Sequence, residues 1–229
     1  MKKLIVAIDG PSGSGKSTLS RLLARELNYI HIDTGAMYRT VALAARRGGI
    51  AADDHESLGR LCTELTIHFE RHDLQERVFL NGEDVSAVIR TPEMSLLTSR
   101  VSASPAVRTA MVELQRAMGL HGGVVLEGRD IGTVVFPAAE VKFFLSASDQ
   151  ARGQRRYEEL RAKGLDVSLE QTIAEVVERD RADQQRLLAP LRQPADAVVI
   201  DSTTMTIQQV LDLMLTEVRA RESLDGELQ

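Results

Sequence analysis

The segment Gly10-Pro11-Ser12-Gly13-Ser14-Gly15-Lys16-Ser17-Thr18 satisfies the pattern G-x-x-x-x-G-K-[ST]. Each residue type in it has a chemical use. Glycines let backbone N–H groups curl around phosphate oxygens, Lys16 is placed to reach β- and γ-phosphates, and the Ser17 hydroxyl is placed to ligate Mg²⁺. The alternative is a Gly-rich turn of purely structural purpose. The flanking residues argue against it: Leu4 to Ile8 is a short apolar run, and Leu19, Leu22, Leu23 and Leu27 recur at helical spacing, so the loop joins a strand to a helix.

A phosphate loop does not choose a reaction, and the remaining polar clusters must do so. Asp33-Thr34-Gly35-Ala36-Met37-Tyr38-Arg39 follows an apolar run and opens a helix, which places Arg39 to hold a second phosphate; read locally, Asp33 or Thr34 is equally a helix cap followed by a surface arginine. Val124-Val125-Leu126-Glu127-Gly128-Arg129-Asp130 brings three polar residues to the end of a buried strand, with Glu127 suited to a Mg²⁺ shell, Arg129 to phosphate and Asp130 to a base. Arg179, Asp183 and Arg186 fall on one face of a helix expected over Ser168 to Leu188, where a solvent-exposed ion-pair ladder is the competing explanation. Arg152, Arg155, Arg156 and Arg161 crowd the preceding helix and suit either a lid over a nucleotide or a solvated basic face.

Transfer of a phosphoryl group onto another phosphate brings two multiply charged anions together, and an array of guanidiniums offsets that repulsion. An ionised acceptor phosphate needs no general base, and no compelling base stands out here. The segment Phe144-Leu145-Ser146-Ala147-Ser148-Asp149 carries no guanine-reading motif of the kind a GTPase switch uses. The five histidines, His31, His55, His68, His72 and His121, receive no role.

These clusters need a scaffold. Apolar runs at Leu4 to Ile8, Tyr29 to Ile32, Val124 to Leu126, Val141 to Leu145 and Ala197 to Ile200 read as five buried strands. Helical stretches over Met37 to Arg47, Pro105 to Met118 and Asp149 to Lys163 alternate with them, which implies right-handed crossovers and a parallel sheet. Alternation around Ile67, Phe69, Val78 and Leu80, followed by Asn81-Gly82, predicts a small antiparallel insertion over roughly 63 to 90. A final amphipathic helix carries Ile207, Val210, Leu211 and Met214, with Ser202, Thr203 and Thr204 as cap candidates.

A chain of 229 residues, 43% hydrophobic but 3% aromatic, builds its core from aliphatic side chains, which favours α/β over an all-β sandwich. A net charge of -5 argues against a broad nucleic-acid surface, and a single cysteine, Cys62, excludes an internal disulfide. The apolar run after Lys3 stops at Asp9 and no stretch is long enough to cross a bilayer, so a cytoplasmic protein is expected.

Gly10 to Thr18, Asp33 to Arg39, Gly128-Arg129-Asp130-Ile131-Gly132-Thr133-Val134-Val135-Phe136-Pro137 and Glu178-Arg179-Asp180-Arg181-Ala182-Asp183 together resemble the bacterial cytidylate kinases along essentially the whole chain. The resemblance implies an α/β fold of the P-loop NTPase, nucleoside-monophosphate-kinase type: a five-stranded parallel sheet flanked by helices, a small antiparallel insertion in the monophosphate-binding region, and a short lid. Residues 1 to 229 would form one domain, with a core over about 1–34, 91–148 and 190–229, a monophosphate-binding region over about 35–90, and a lid and helix region over about 149–189. It implies ATP·Mg²⁺ on Gly10, Pro11, Ser12, Gly13, Ser14, Gly15, Lys16, Ser17 and Thr18, and CMP or dCMP as acceptor. Arg39, Arg129 and Arg186 would hold the acceptor phosphate, Arg179 and Asp183 the pentose, and Ser99, Arg108 and Asp130 the cytosine, and Thr34 would be a further substrate-binding residue. Lys16, Arg129, Arg155 and Arg156 would act on the transferred group. Thr34 stands where Ser is common and Glu127 where Asp is common. The resemblance also implies a monomer with no membrane or nucleic-acid partner. A kinase for another small acceptor such as UMP, or an ATPase or nucleotide switch, is the alternative.

Overall fold

A computed structural model describes residues 3–72 and 75–227. Five strands, β1 (Ile5–Asp9), β2 (Ile30–Asp33), β6 (Val124–Gly128), β7 (Val141–Ser146) and β8 (Val198–Asp201), form one sheet in the order β2-β6-β1-β7-β8. β1 runs parallel to β6 and β7, with Asp9 opposite Gly128, so the carboxyl ends of neighbouring strands finish level with one another. The strands read as continuous apolar runs because both faces are covered. Leu4, Val6, Ile8, Val125, Phe143 and Leu145 pack with Leu19 and Leu23 of helix α1 (Lys16–Leu27) and with Val210, Met214 and Val218 of helix α8 (Ile207–Glu227). Burying each such side chain contributes about 1.5–3 kcal/mol, enough to hold the sheet edge that carries the polar residues.

The chain divides into two compact units, Met1–His31 with His121–Gln229, and Ile32–Leu120. The second unit holds helices α2 (Thr34–Arg47), α3 (His55–Glu64), α4 (Pro92–Val101) and α5 (Pro105–Gly119), and a sheet of β3 (Ile67–His72), β4 (Gln75–Leu80) and β5 (Glu83–Asp84). That sheet is antiparallel. Asn81 and Gly82, both at positive φ, make the turn between β4 and β5 as their residue types predict. Helices α3 and α4 lie outside the sequence reading; Asp54 and Thr91 cap them by accepting the Ser57 and Met94 N–H groups.

The ends of two helices bear on the site. The helix expected over Ser168 to Leu188 is α7 (Leu169–Gln185), and Arg186 has left helical geometry at ψ 136. After Arg186 the chain turns back, and the Leu191 N–H bonds the Asp183 carbonyl at 2.9 Å. Helix α8 starts after Thr206, whose hydroxyl accepts the Gln209 N–H at 3.2 Å, so Ser202, Thr203 and Thr204 are not its cap. After Arg129 and Asp130 the chain makes a single π-helical turn, Ile131–Val135.

Candidate functional site

In the first unit the phosphate loop leaves β1 at Asp9 and enters α1 at Lys16. Gly10, Gly13 and Gly15 have φ of 150°, 75° and 93°. A side chain is excluded at Gly10 by packing as well, since a Cβ there would lie 2.1 Å from the Leu145 carbonyl oxygen. Lys16 is buried and its ammonium donates to the Pro11 carbonyl at 2.6 Å. Burial depresses its pKa well below the usual lysine value, and Arg129 and Arg179 push it further down while Glu127 and Asp180 oppose them. The positive end of the site is therefore crowded: Lys16 and two arginines converge on one region, where a polyanion would relieve their repulsion.

Ser17 Oγ donates to Glu127 Oε2 at 2.8 Å. Glu127 is buried, which works against its charge, yet His31, Lys16 and Ser17 outweigh that and hold its carboxyl below the ordinary range. Sequence reasoning passed over His31. Its Nε2 lies 2.9 Å from Ser20 Oγ and 3.3 Å from Glu127 Oε1, and Ser20 Oγ already donates to the Lys16 carbonyl at 2.7 Å. Ser20 must then accept, so Nε2 carries the proton and faces both oxygens. A hydroxyl and an ionised carboxylate at the loop are hard oxygen donors, the type that suits Mg²⁺.

Arg129 Nε donates to Asp183 Oδ2 at 2.8 Å, and Arg186 Nη2 donates to Asp183 Oδ1. Burial opposes the Asp183 charge, but Arg129 and Arg186 hold its pKa below the usual carboxylate value. The structure thus joins Arg129, Asp183 and Arg186 in one cluster, although Arg186 arrives from beyond the helix. The exposed Arg179 lies one turn before Asp183. Asp130 is buried at the head of the π turn, and that turn is pinned by Asp9, whose carboxylate accepts the Ile131 and Gly132 N–H groups at 2.8 and 2.7 Å.

Arg155 does not reach out as a lid residue in this structure. Its guanidinium donates to the Ser202 carbonyl at 2.5 Å and to the Gly13 carbonyl at 3.5 Å, while Ser202 Oγ donates to the Ser14 carbonyl at 3.2 Å. Arg156 pairs with Glu159 at 2.8 Å on the surface.

In the second unit Asp33 caps α2 by accepting the Ala36 N–H at 2.8 Å, and Thr34 is buried beside it. Arg39 folds back over Gly35, where a Cβ would lie 3.2 Å from its Nη1. Arg108 is buried with its guanidinium 5.7 Å from the centre of the Tyr38 ring, and Ser99 is exposed on α4.

The family model for cytidylate kinase matches residues 6–220. The chain belongs to the cytidylate kinase family. A cytidylate kinase of Syntrophotalea carbinolica is 66% identical over 223 residues, covering 97% of this chain and 95% of that protein. One from Geobacter sp. strain M21 is 62% identical over 218 residues, covering 95% and 94%. The fold also resembles that of a gluconokinase from Sinorhizobium meliloti 1021, with a TM-score of 0.50 at 14% identity, covering all of this chain and 98% of that one. Among the described residues no helix is long and apolar enough to cross a membrane.

Proposed function

We propose that the chain transfers the terminal phosphoryl group of ATP to CMP and dCMP, giving ADP with CDP or dCDP. The observation that carries this reading, beside the family, is a glycine-built phosphate loop around Lys16 in the same unit as the Arg129–Asp183–Arg186 cluster. A phosphate loop and a separate set of guanidiniums suit two phosphates that must approach one another.

In this reading Gly10 to Thr18 hold the ATP phosphates, and Lys16 turns from the Pro11 carbonyl to the β- and γ-oxygens. Arg129 and Arg186, already oriented by Asp183, take the acceptor phosphate with Arg39; Arg179 and Asp183 meet the pentose. Ser99, Arg108 and Asp130 contact the cytosine, and Thr34 is a further substrate-binding residue. An ionised Asp130 accepts hydrogen bonds alone, which matches the amino group of cytosine and not the carbonyl of uracil. The acceptor phosphate attacks without a general base, so these residues work by alignment and by charge stabilisation. Mg²⁺ carried with ATP would be met by Ser17 and, through the outer shell, by Glu127, and it would supply charge neutralisation at the β- and γ-oxygens. Arg155 joins this array once it releases Ser202; Arg156 is nearer the solvent. By the same resemblance the protein acts as a monomer in the cytoplasm.

The test is ADP production with ATP and Mg²⁺ and each of CMP, dCMP, UMP, AMP and GMP, against a control without acceptor. Turnover confined to CMP and dCMP is expected. ADP formed equally without acceptor would refute the proposal in favour of an ATPase or switch, and preference for UMP or AMP would reassign the acceptor.

A further inference from the structure

Arg152 on α6 (Asp149–Ala162), offered by its sequence only as a lid or surface residue, and Asp180 on α7 form an enclosed ion pair at the phosphate loop. Their side chains are 5% and 7% exposed, and Arg152 Nη1 donates to Asp180 Oδ2. Both also grip one loop residue. Ser12 N–H donates to Asp180 Oδ1 at 2.9 Å, and the Ser12 carbonyl accepts from Arg152 Nη1 at 2.8 Å. Arg152 is itself fixed by Nε to the Ala147 carbonyl at 3.0 Å and by Nη2 to Asp149 at 2.5 Å. The helix comes close enough that a Cβ on Gly13 would lie 2.9 Å from the Arg152 carbonyl oxygen.

A buried ion pair is a poor stabiliser compared with apolar packing, because desolvation offsets most of the attraction. What this one supplies is geometry. Both peptide groups of Ser12 are committed outward, which sets the outer limb of the loop and thereby the direction of the amides that follow from Gly13 to Ser17. Preorganised donors bind an anion more tightly than donors that must be ordered on binding.

We propose that Arg152 and Asp180 are positioning residues for the donor nucleotide, holding the Ser12 peptide so that the phosphate loop is shaped before ATP arrives. This deepens the kinase reading and rests on it for the identity of the nucleotide.

The test separates the two ligands. Dissociation constants for ATP and for CMP are measured independently by calorimetry on the folded full chain, for the wild type, Asp180→Ala, Asp180→Asn and Arg152→Lys, with thermal melts alongside. Asp180→Ala removes the acceptor of the Ser12 N–H and is expected to weaken ATP about tenfold or more, leaving CMP within about threefold. Asp180→Asn keeps an oxygen for that N–H and should restore most of the ATP affinity. Lysine at 152 cannot span Ser12, Ala147 and Asp180 together, so Arg152→Lys should also weaken ATP selectively; it carries the test if Asp180→Ala does not fold. Equal losses for both ligands, identical ATP affinity in Asp180→Ala and Asp180→Asn, or unchanged ATP affinity in Arg152→Lys would overturn the proposal. ATP binding without phosphoryl transfer to CMP would instead defeat the kinase reading and leave this test standing.

Discussion

Replacing Asp9 by Asn removes a charge that the fold accepts at a cost. Burial raises the Asp9 pKa from 3.8 to about 6, with Asp130 pushing the same way and the Ile131 and Gly132 N–H groups and Lys16 only partly opposing it. The folded chain therefore binds this proton more tightly than the unfolded one. The contribution of Asp9 to stability is fully present below pH 3.8 and is lost as the pH rises through about 6. The full difference is about 3 kcal/mol, of which about 1.4 kcal/mol is recovered by pH ~5. Glu127 and Asp183, whose pKa values are lowered, act in the opposite sense and lose stability as the pH falls, so the total stability is not diagnostic. The difference between wild type and Asp9→Asn is. Urea unfolding of both at several pH values should show that difference shifting in favour of the wild type by about 1.4 kcal/mol between pH ~7.5 and ~5. Function moves the other way, because a protonated carboxyl gives up one of its two accepted N–H bonds and loosens the turn after Arg129 and Asp130. The wild-type kcat/KM for CMP should fall below pH about 6 more steeply than that of Asp9→Asn; the comparison cancels ionisation of the acceptor phosphate, which titrates in the same range. A stability difference that does not change with pH would refute the reasoning.

Two further substitutions test other parts of the site. Asp130→Asn should narrow the CMP-over-UMP ratio of kcat/KM values by about 1–3 kcal/mol, since an amide can both donate and accept; an unchanged ratio removes Asp130 from base reading. Gly153→Ala sets a helix-propensity gain of about 1 kcal/mol against an overpacking cost of about 1–3 kcal/mol. The added Cβ would lie 2.9 Å from the Ile173 Cα, which cannot swing aside, so a lower melting temperature is expected and a higher one would show that α6 and α7 separate freely.

The sequence was most legible where a single local rule governs the structure. The phosphate loop declares itself because its backbone requires glycine at positive φ, and the sheet because strands covered on both faces must be apolar throughout. Asn81-Gly82 and the Asp33 cap follow equally local rules. Helices α3 and α4 are short, yet both carry local signals that the reading did not use: Leu58, Leu61 and Cys62 recur at helical spacing behind the Asp54 cap, and Thr91 followed by Pro92 opens α4. Of Arg179, Asp183 and Arg186, expected on one helix face, the structure joins Asp183 and Arg186 by an ion pair and adds Arg129, which spacing did not group with them. Spacing suggested one helix, whereas Arg186 reaches Asp183 from the chain after the helix end.

His31 and Asp9 show why the rest could not be read from spacing. Neither lies near its partner in sequence: His31 meets Glu127, and Asp9 meets the backbone of Ile131 and Gly132, because β1 stands beside β6 and β2 stands on the far side of β6. Once the strands are in that order, their carboxyl ends bring Asp9, His31 and Glu127 to one edge regardless of what the intervening chain does. The site is thus built in two layers. The residues proposed to meet phosphate, buried Lys16 among them, can be matched to chemistry by type and motif, while Asp9 and Glu127 are buried polar groups whose partners follow from the sheet order. A buried carboxylate that accepts two backbone N–H groups costs stability at neutral pH, and the turn it fixes carries Arg129 and Asp130 at its entrance. That exchange of stability for geometry is the reason Asp9→Asn is expected to alter turnover as well as stability.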